Sequence, residues 1–474
     1  MAWLCFLSAI VIAARARRNL YYTPFSAPHK PFFAWRRDCF SQGPAREKGE
    51  KFFGTIDAGG PPQYSSDKLF AQGGVFVNFI FISPHFPHTY WQFCDRLKRN
   101  GVNVLGIGDA PYDTLEQPLR DALTEYYRVD TMEVYDQMYR AVAFFAFKYG
   151  RIDWLESNNE YWLEQDARLR EDFHIVSGVL PAEIAPWKHK SGMKAFYAAA
   201  GVPTARAHRV TDETAAKAFL RQIGGYPVIV KPDVGVGASD TWKLESDADL
   251  EEFFRIKPDV PYVMEEFVFG DIYSYDAIID SHSEPLFEST AAFPPSIADI
   301  VNEDKELSYY VLDKLPAQLR ERGRATVKAF GVRSRFVHFE FFRLTKARPN
   351  LGKVGDFVAL EVNMRPAGGY TPDMMNFAHS TDVYQIWADM VTFDKRLLPP
   401  GGDDHFCVYA SRKDSHRYRR THEEVLARYG DKIVMCERMP EIMQAAMGCQ
   451  MYTAHADTIK GVREFIRYVQ ERKE

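Results

Sequence analysis

The 474-residue chain has no C-x-x-C pair: its six cysteines (Cys5, Cys39, Cys94, Cys407, Cys436 and Cys449) are scattered. That spacing supports neither a zinc ribbon nor a redox dithiol, and it reads as reduced, mostly buried small hydrophobes in a reducing, cytoplasmic setting. No apolar run reaches the roughly twenty residues that a spanning helix needs. The longest candidate, 3–14, is followed rather than preceded by Arg15, Arg17 and Arg18, the reverse of a signal peptide. There is no G-x-x-x-x-G-K-[ST] loop, and Gly106-x-Gly108 meets Pro111 where a dinucleotide fingerprint needs its third glycine. Neither sign of charge dominates: 59 basic and 64 acidic residues leave a net charge of −5. This argues against a nucleic-acid or membrane-surface binder, which would carry a clustered basic excess. Repeats and low-complexity tracts are absent as well.

What is present is enough apolar material for several lobes. The chain is 46% apolar and 14% aromatic, far from a disordered composition, and its length exceeds a typical single domain two- to three-fold. Residues 1–74, rich in Pro, Gly and charge, are expected to be an extension, either disordered or a leader. The folded body is expected from Val75.

From 75 to 186 short apolar runs alternate with amphipathic stretches, the pattern of a parallel sheet with helical crossovers. Strands are predicted at 78–82, 102–107 and 152–155, and helices at 90–97, 115–127 and 133–149. Ligands of such sheets sit beyond the carboxyl ends of the strands. The loops there are Ser83-Pro84-His85, Gly108-Asp109 and Glu156-Ser157-Asn158-Asn159-Glu160. They suit a small substrate or simple helix capping equally, and His85 and His88 read as loop histidines.

Lys190 opens a helix that Gly201 ends, a cation placed where the helix dipole disfavours it. Tyr226-Pro227-Val228-Ile229-Val230-Lys231-Pro232 is a strand running into Asp233-Val234-Gly235-Val236-Gly237. That turn predicts a glycine-rich flap, whose amides could approach a polyphosphate with a lysine at its base. A third strand, 262–266, delivers Glu265 and Glu266. Residues 335–344 alternate, with Phe336, His338, Glu340 and Phe342 on one face. Residues 357–365 alternate with Glu361, Asn363 and Arg365 on one face, and Val358, Leu360, Val362 and Met364 on the other. Pairing these two strands would bring Glu340 beside Glu361 and Asn363. Buried carboxylates must be paired or bind metal, and oxygen ligands of this kind suit magnesium completed by substrate phosphates. Arg365, on the same face, could meet a phosphate. A structural salt-bridge cluster is the competing reading.

With these motifs in order, 75–403 resembles the ATP-grasp superfamily, which includes biotin carboxylase, the large subunit of carbamoyl-phosphate synthetase and the D-alanine ligases. Lys190-x-x-x-Lys194 through Ala200-Gly201-Val202-Pro203 is similar to the helix whose leading lysine contacts ATP phosphates, and Lys231 to the second ATP lysine. Met264-Glu265-Glu266-Phe267-Val268 resembles the adenine hinge. The resemblance implies base contacts from Glu265 and the backbone near Val268, Asp271 near the ribose, and phosphate contacts from Gly235 and Gly237. Glu340, Glu361 and Asn363 match the magnesium ligands, Arg365 the reaction-centre arginine, and Pro366-Ala367-Gly368-Gly369 the glycine turn after it. Arg365 and Lys231 are thus the implied catalytic residues. The flap Gly235-Val236-Gly237 has fewer glycines than many in the family.

The implied fold is α/β and α+β multi-domain. A Rossmann-like domain (75–186) precedes an ATP-grasp domain (187–402), made of a small lobe (187–265) and a magnesium lobe (266–402), and a small α+β appendage follows (403–474). The implied reaction is ATP- and Mg2+-dependent (Mn2+ as an alternative ion). It activates a carboxylate as an acyl-phosphate and joins it to an amine, releasing ADP. The partners are small-molecule acid and amine, with no nucleic acid and no membrane, and the family allows a homodimer. The alternatives are a biotin-carboxylase-like or carbamoyl-phosphate-synthetase-like activity, and a non-catalytic ATP-binding module.

Overall fold

The computed structural model describes residues 77–235, 240–294 and 305–473. The expected extension at 1–74 and Gly237 of the flap lie outside the described residues. Four strands form the first sheet: β1 (Asn78–Ile82), β2 (Asn103–Gly108), β3 (Glu125–Arg128) and β4 (Trp154–Glu156). They are parallel in the order β3-β2-β1-β4. Near-continuous apolar runs such as Phe79-Ile80-Phe81-Ile82, all buried, are what a sheet covered on both faces requires. The helix expected at 115–127 is shorter than the apolar periodicity implied. It spans only Gln117–Ala122, and Glu125–Arg128 pairs with Leu105–Gly108 as β3. Its buried face, Leu119 and Ala122, ends where two successive tyrosines suit the pleated edge better than another helical turn.

A second, four-stranded sheet follows, built from β5 (Ala207–Val210), β6 (Val228–Pro232), β7 (Trp242–Leu244) and β8 (Tyr262–Glu266), antiparallel in the order β5-β8-β6-β7. The third sheet has nine strands. They are β9 (Gly270–Ile279), β10 (Pro285–Ser289), β11 (Ala291–Phe293), β12 (Ser308–Val311), β13 (Arg335–Leu344), β14 (Phe357–Asn363), β15 (Phe406–Arg412), β16 (Ile433–Arg438) and β17 (Gln450–Ala456). Its order is β14-β13-β9-β11-β12-β15-β17-β16, with β10 on β9.

The segment from 403 onward, expected as a separate appendage, continues this sheet. Phe406–Arg412 pairs with Ser308–Val311 on one side and with Gln450–Ala456 on the other. A strand such as Cys407-Val408-Tyr409-Ala410, apolar at every position and fully buried, needs neighbours on both edges and cover on both faces. The central sheet provides them. All described residues belong to one unit by internal contacts.

The first lobe is joined to the rest by a shared core. Helix Trp91–Arg99 buries Phe93, Cys94 and Leu97 against helix Val383–Phe393. The Phe93 ring meets Trp387 edge-on at 4.9 Å and Tyr384 at 4.7 Å, a geometry that aromatic quadrupoles favour. Polar contacts rim this core, with Arg96 to Asp382 at 2.8 Å and Gln92 to Asp373 at 2.8 Å. The four described cysteines are free; Cys94 and Cys407 are buried. No helix of the described residues is long and apolar enough to cross a membrane.

Candidate active site

The site is built where β6, β8, β13 and β14 meet the helix Lys190–Ala199. A lysine at the start of that helix is tolerable because an acidic group reaches the same place from the flap's base. The buried Asp233 carboxylate accepts the Ser191 N–H (2.7 Å) and the Ser191 hydroxyl (2.9 Å), and the Asp233 carbonyl accepts the Lys190 N–H (2.9 Å). A carboxylate on a helix N-terminus is favourable both as a hydrogen-bond acceptor and to the dipole. The Lys190 ammonium donates to the Gly235 carbonyl at 2.7 Å and lies 3.3 Å from the Glu361 carboxylate. Gly235 has φ +148°, a backbone that a side chain would strain.

One turn on, Lys194 projects from the same helix face, the i,i+4 relation. Its ammonium is 2.6 Å from one oxygen of Glu265, and Lys231 on β6 is 2.7 Å from the other. The Ile229↔Glu265 and Lys231↔Val263 register of β6 on β8 sets this approach. Burial alone would raise the Glu265 pKa, but Lys194 and Lys231 outweigh it and bring it to about 2. Burial lowers the Lys194 pKa despite Glu265, whereas for Lys231 burial is overcome by Glu265, Glu361 and Glu340, and the pKa is raised. Lys194 is the site residue to which the sequence reading assigned no role; its spacing from Lys190 was the available signal.

Strands β13 and β14 pair Glu340 with Glu361 and His338 with Asn363, the juxtaposition that the alternation predicted. A bulge between Glu340 and Phe341 changes the rest of the pattern. Beyond it Val358 pairs with Phe342 and lies on the Glu340 face, while Phe357 and Ala359 join Val362 and Met364 in the opposite core. The Val358 side of the sheet thus becomes an apolar patch with Ala205, Val268, Leu344 and Leu351.

Glu340 is 3.5 Å from His338 Nε2, and His338 Nδ1 is 2.7 Å from the buried Asp276, which also accepts the Ser274 hydroxyl. Burial opposes a charged His338, but Asp276 and Glu340 prevail and place its pKa at about 9. Burial likewise opposes Glu340 ionisation, and His338, Arg365 and Lys231 overcome it, lowering the pKa. Arg365 donates to the Pro366 carbonyl at 2.8 Å. Glu160, from the loop after β4, is raised by burial and drawn back by Arg365.

The structure therefore brings together Lys190, Lys194, Lys231, Gly235, Glu265, Glu340, Glu361, Asn363 and Arg365, with Val268 in the adjoining apolar patch. The Glu265 carboxylate is taken up by two lysines. Asp271 is not brought in. It pairs with Arg343 three positions from the Glu340↔Ser274 pair, so it projects from the other face of the sheet, into a cavity lined by Tyr273, Tyr310 and Arg463.

Among the described residues no three His, Cys, Asp or Glu side chains converge as a metal cage. Two carboxylates and a carboxamide on directly paired strands nevertheless suit a hard divalent cation that takes its remaining ligands from phosphate and water. The Tyr197 hydroxyl, buried and without a hydrogen-bond partner among the described residues, is raised by burial and by the nearby Glu361, Glu265 and Glu340. Three lysines and an arginine next to these oxygen donors fit a magnesium polyphosphate.

No protein-family model matches the chain, and no curated protein is detectably similar in sequence. Solved structures do share its fold. An L-amino acid ligase from Bacillus licheniformis superposes with a TM-score of 0.61 at 14% identity, over 83% of this chain and 96% of that one. Phosphoribosylglycinamide synthetase from Anaerococcus prevotii gives 0.59 at 14%, over 83% and 98%. The biotin carboxylase domain of the Hydrogenobacter thermophilus 2-oxoglutarate carboxylase, solved with MgADP and bicarbonate, gives 0.59 at 15%, over 84% and 90%. The chain has the ATP-grasp fold, as the order of its motifs implied.

Proposed function

We propose that this protein is an ATP- and Mg2+-dependent ligase that activates a carboxylate as an acyl-phosphate and joins it to an amine, releasing ADP and phosphate. The observation that carries this reading is the pairing of Glu340 with Glu361 and of His338 with Asn363, close to the lysines that enclose Glu265. That sets oxygen donors beside a cationic set, with Lys190 3.3 Å from Glu361, on a fold that solved ligases share.

Glu340, Glu361 and Asn363 would hold magnesium, which when bound would offset the negative charge of the phosphate oxygens. Lys190, Lys194 and Lys231 would bind the phosphates, the Val268–Val358 patch would receive the base, and the flap around Gly235 would exclude water. In the first step a carboxylate oxygen attacks the γ-phosphorus and the bond to the ADP oxygen breaks. In the second the amine nitrogen attacks the acyl carbon, the acyl C–O bond breaks, phosphate leaves, and the amine proton passes to solvent or to the departing phosphate. Arg365 would stabilise the charge that grows on the transferred group, an interaction strongest in the transition state. Positioning and electrostatics suffice, because the phosphoryl transfer needs little covalent chemistry from the protein. The loops after β1, β2 and β4 would present the acid and amine.

The test is ADP and phosphate release with Mg2+-ATP against pooled amino acids and small carboxylic acids. Release that depends on one acid–amine pair supports the reading and names the substrates. Release with bicarbonate alone would move the protein to a carboxylase-type reaction, and ATP binding without release to a non-catalytic module.

A further inference from the structure

We infer that the loop after β4 clamps the strand that carries the reaction centre: Glu160, and Glu156 acting through Arg335, are positioning residues that hold Met364 by both its backbone groups and thereby fix Asn363 and Arg365 on either side of it. This inference rests on the function proposed above, and it deepens that reading by assigning the first lobe a part in catalysis.

Met364 lies one residue past the end of the β13–β14 ladder, whose last pair is His338↔Asn363. Its own N–H and C=O are therefore beyond the strand's partners while the residue is buried. Buried backbone groups of this kind must be satisfied from elsewhere. Here the partners are side chains tied to the first lobe. Glu160 accepts the Met364 N–H at 3.1 Å, and Arg335 donates to the Met364 carbonyl at 2.6 Å. The other arm of Arg335 donates to Glu156 at 2.6 Å, and the same Glu156 oxygen accepts from Arg170 at 2.8 Å. The second Glu156 oxygen accepts the N–H groups of Ser157 (3.1 Å) and Asn158 (3.2 Å). Arg170 is fixed in turn by the Leu155 and Val179 carbonyls, each at 2.9 Å.

Every member is more than nine-tenths buried: Glu156 4%, Glu160 7%, Arg170 0% and Arg335 2% exposed. Buried ion clusters are weak contributors to net stability compared with well-packed apolar groups, so stability alone is a poor reason for this one. They do impose a single geometry, because charge-assisted bonds are directional and a misplaced partner would leave a charge unpaired. The residue under this constraint separates a proposed magnesium ligand from the proposed reaction-centre arginine. A displacement of about 1 Å at such a point can cost on the order of a hundred-fold in rate.

The experiment compares steady-state ADP release with Mg2+-ATP and the acid–amine pool for the wild type, Glu160→Ala, Glu160→Gln and Arg335→Lys, with Tm measured alongside. A positioning role predicts that Glu160→Ala lowers kcat at least about ten-fold with KM for ATP within about two-fold. Glu160→Gln should recover most of that loss, because its amide oxygen can accept the same N–H. Arg335→Lys keeps the charge but cannot bridge Met364 and Glu156 together, so it should lose kcat as well, and it keeps the test decisive if Glu160→Ala fails to fold. The clamp is overturned if a folded Glu160→Ala retains wild-type kcat, or if Glu160→Gln falls as far as Glu160→Ala. A wild type that releases no ADP with any pair sinks the proposed function and the clamp with it. Release by the wild type together with an unaffected Glu160→Ala sinks the clamp alone.

Discussion

Replacing Glu265 by glutamine isolates the charge balance at the centre of the site. The substitution keeps shape and leaves Lys194 and Lys231, now 2.6 and 2.7 Å from a neutral group, as one partly buried and one buried ammonium ion in contact with an amide. A carboxyl held at about 2 instead of its ordinary 4.5 corresponds to about 3 kcal/mol, at roughly 1.4 kcal/mol per tenfold in proton affinity. Breaking a buried ion pair from one side typically costs about 3–5 kcal/mol, which agrees. The sign with pH follows from the direction of the shift. A depressed carboxyl pKa stabilises the fold above the unfolded value and loses that contribution as pH falls through the folded value. The wild type should therefore exceed Glu265→Gln by about 3 kcal/mol near pH 7, a Tm difference of roughly 5 °C. The gap should stay level down to pH 5 and close between pH 4.5 and about 2. Thermal unfolding followed by circular dichroism across that range measures it. A difference below about 1 kcal/mol, the size of an exposed pair, or one that persists unchanged near pH 2, would refute the two-lysine clamp.

Three further outcomes are expected. His338→Gln should destabilise the protein most at low pH. The raised His338 pKa, about 9 against 6.5, gives stability that is full below pH 6.5 and lost as pH rises through 9, so Tm curves of wild type and variant should converge in alkali. Glu361→Ala should reduce ADP release by more than about a hundred-fold while Tm shifts by only a few degrees, because its carboxylate is partly exposed and paired only at 3.3 Å with Lys190. Gly323→Ala would gain about 1 kcal/mol of helix propensity on an open helix. Here the new Cβ would lie 2.4 Å from the Tyr275 ring, so urea unfolding should show a net loss of about 1–3 kcal/mol.

The sequence by itself determined the alternation of strand and helix in the first lobe, because a covered parallel sheet demands apolar runs like Phe79-Ile80-Phe81-Ile82 between amphipathic segments. It also determined the pairing of Glu340 with Glu361, since two polar alternating segments joined by a short turn-rich link have few other ways to hide their carboxylates. Local patterns could not decide matters that depend on what lies across a sheet. The bulge beside Glu340 reversed the face of Val358, and Asp271 came out on the far side of the sheet because strand parity, not nearness to Glu265 in the chain, sets direction. The strands after 403 look like an appendage in sequence because nothing in Phe406-Cys407-Val408-Tyr409-Ala410 names its neighbour. Their place beside Ser308–Val311 is a long-range pairing. Glu265 and Lys194 acquired their roles in the same way. A carboxylate's partner is whichever cation the packing delivers, and here the packing of one helix against β6 and β8 delivered two. The hold on Met364 has the same origin: residues 156 and 160 are far in the chain from 335 and 364, and the fold brings them to the segment where the ladder had stopped supplying hydrogen bonds.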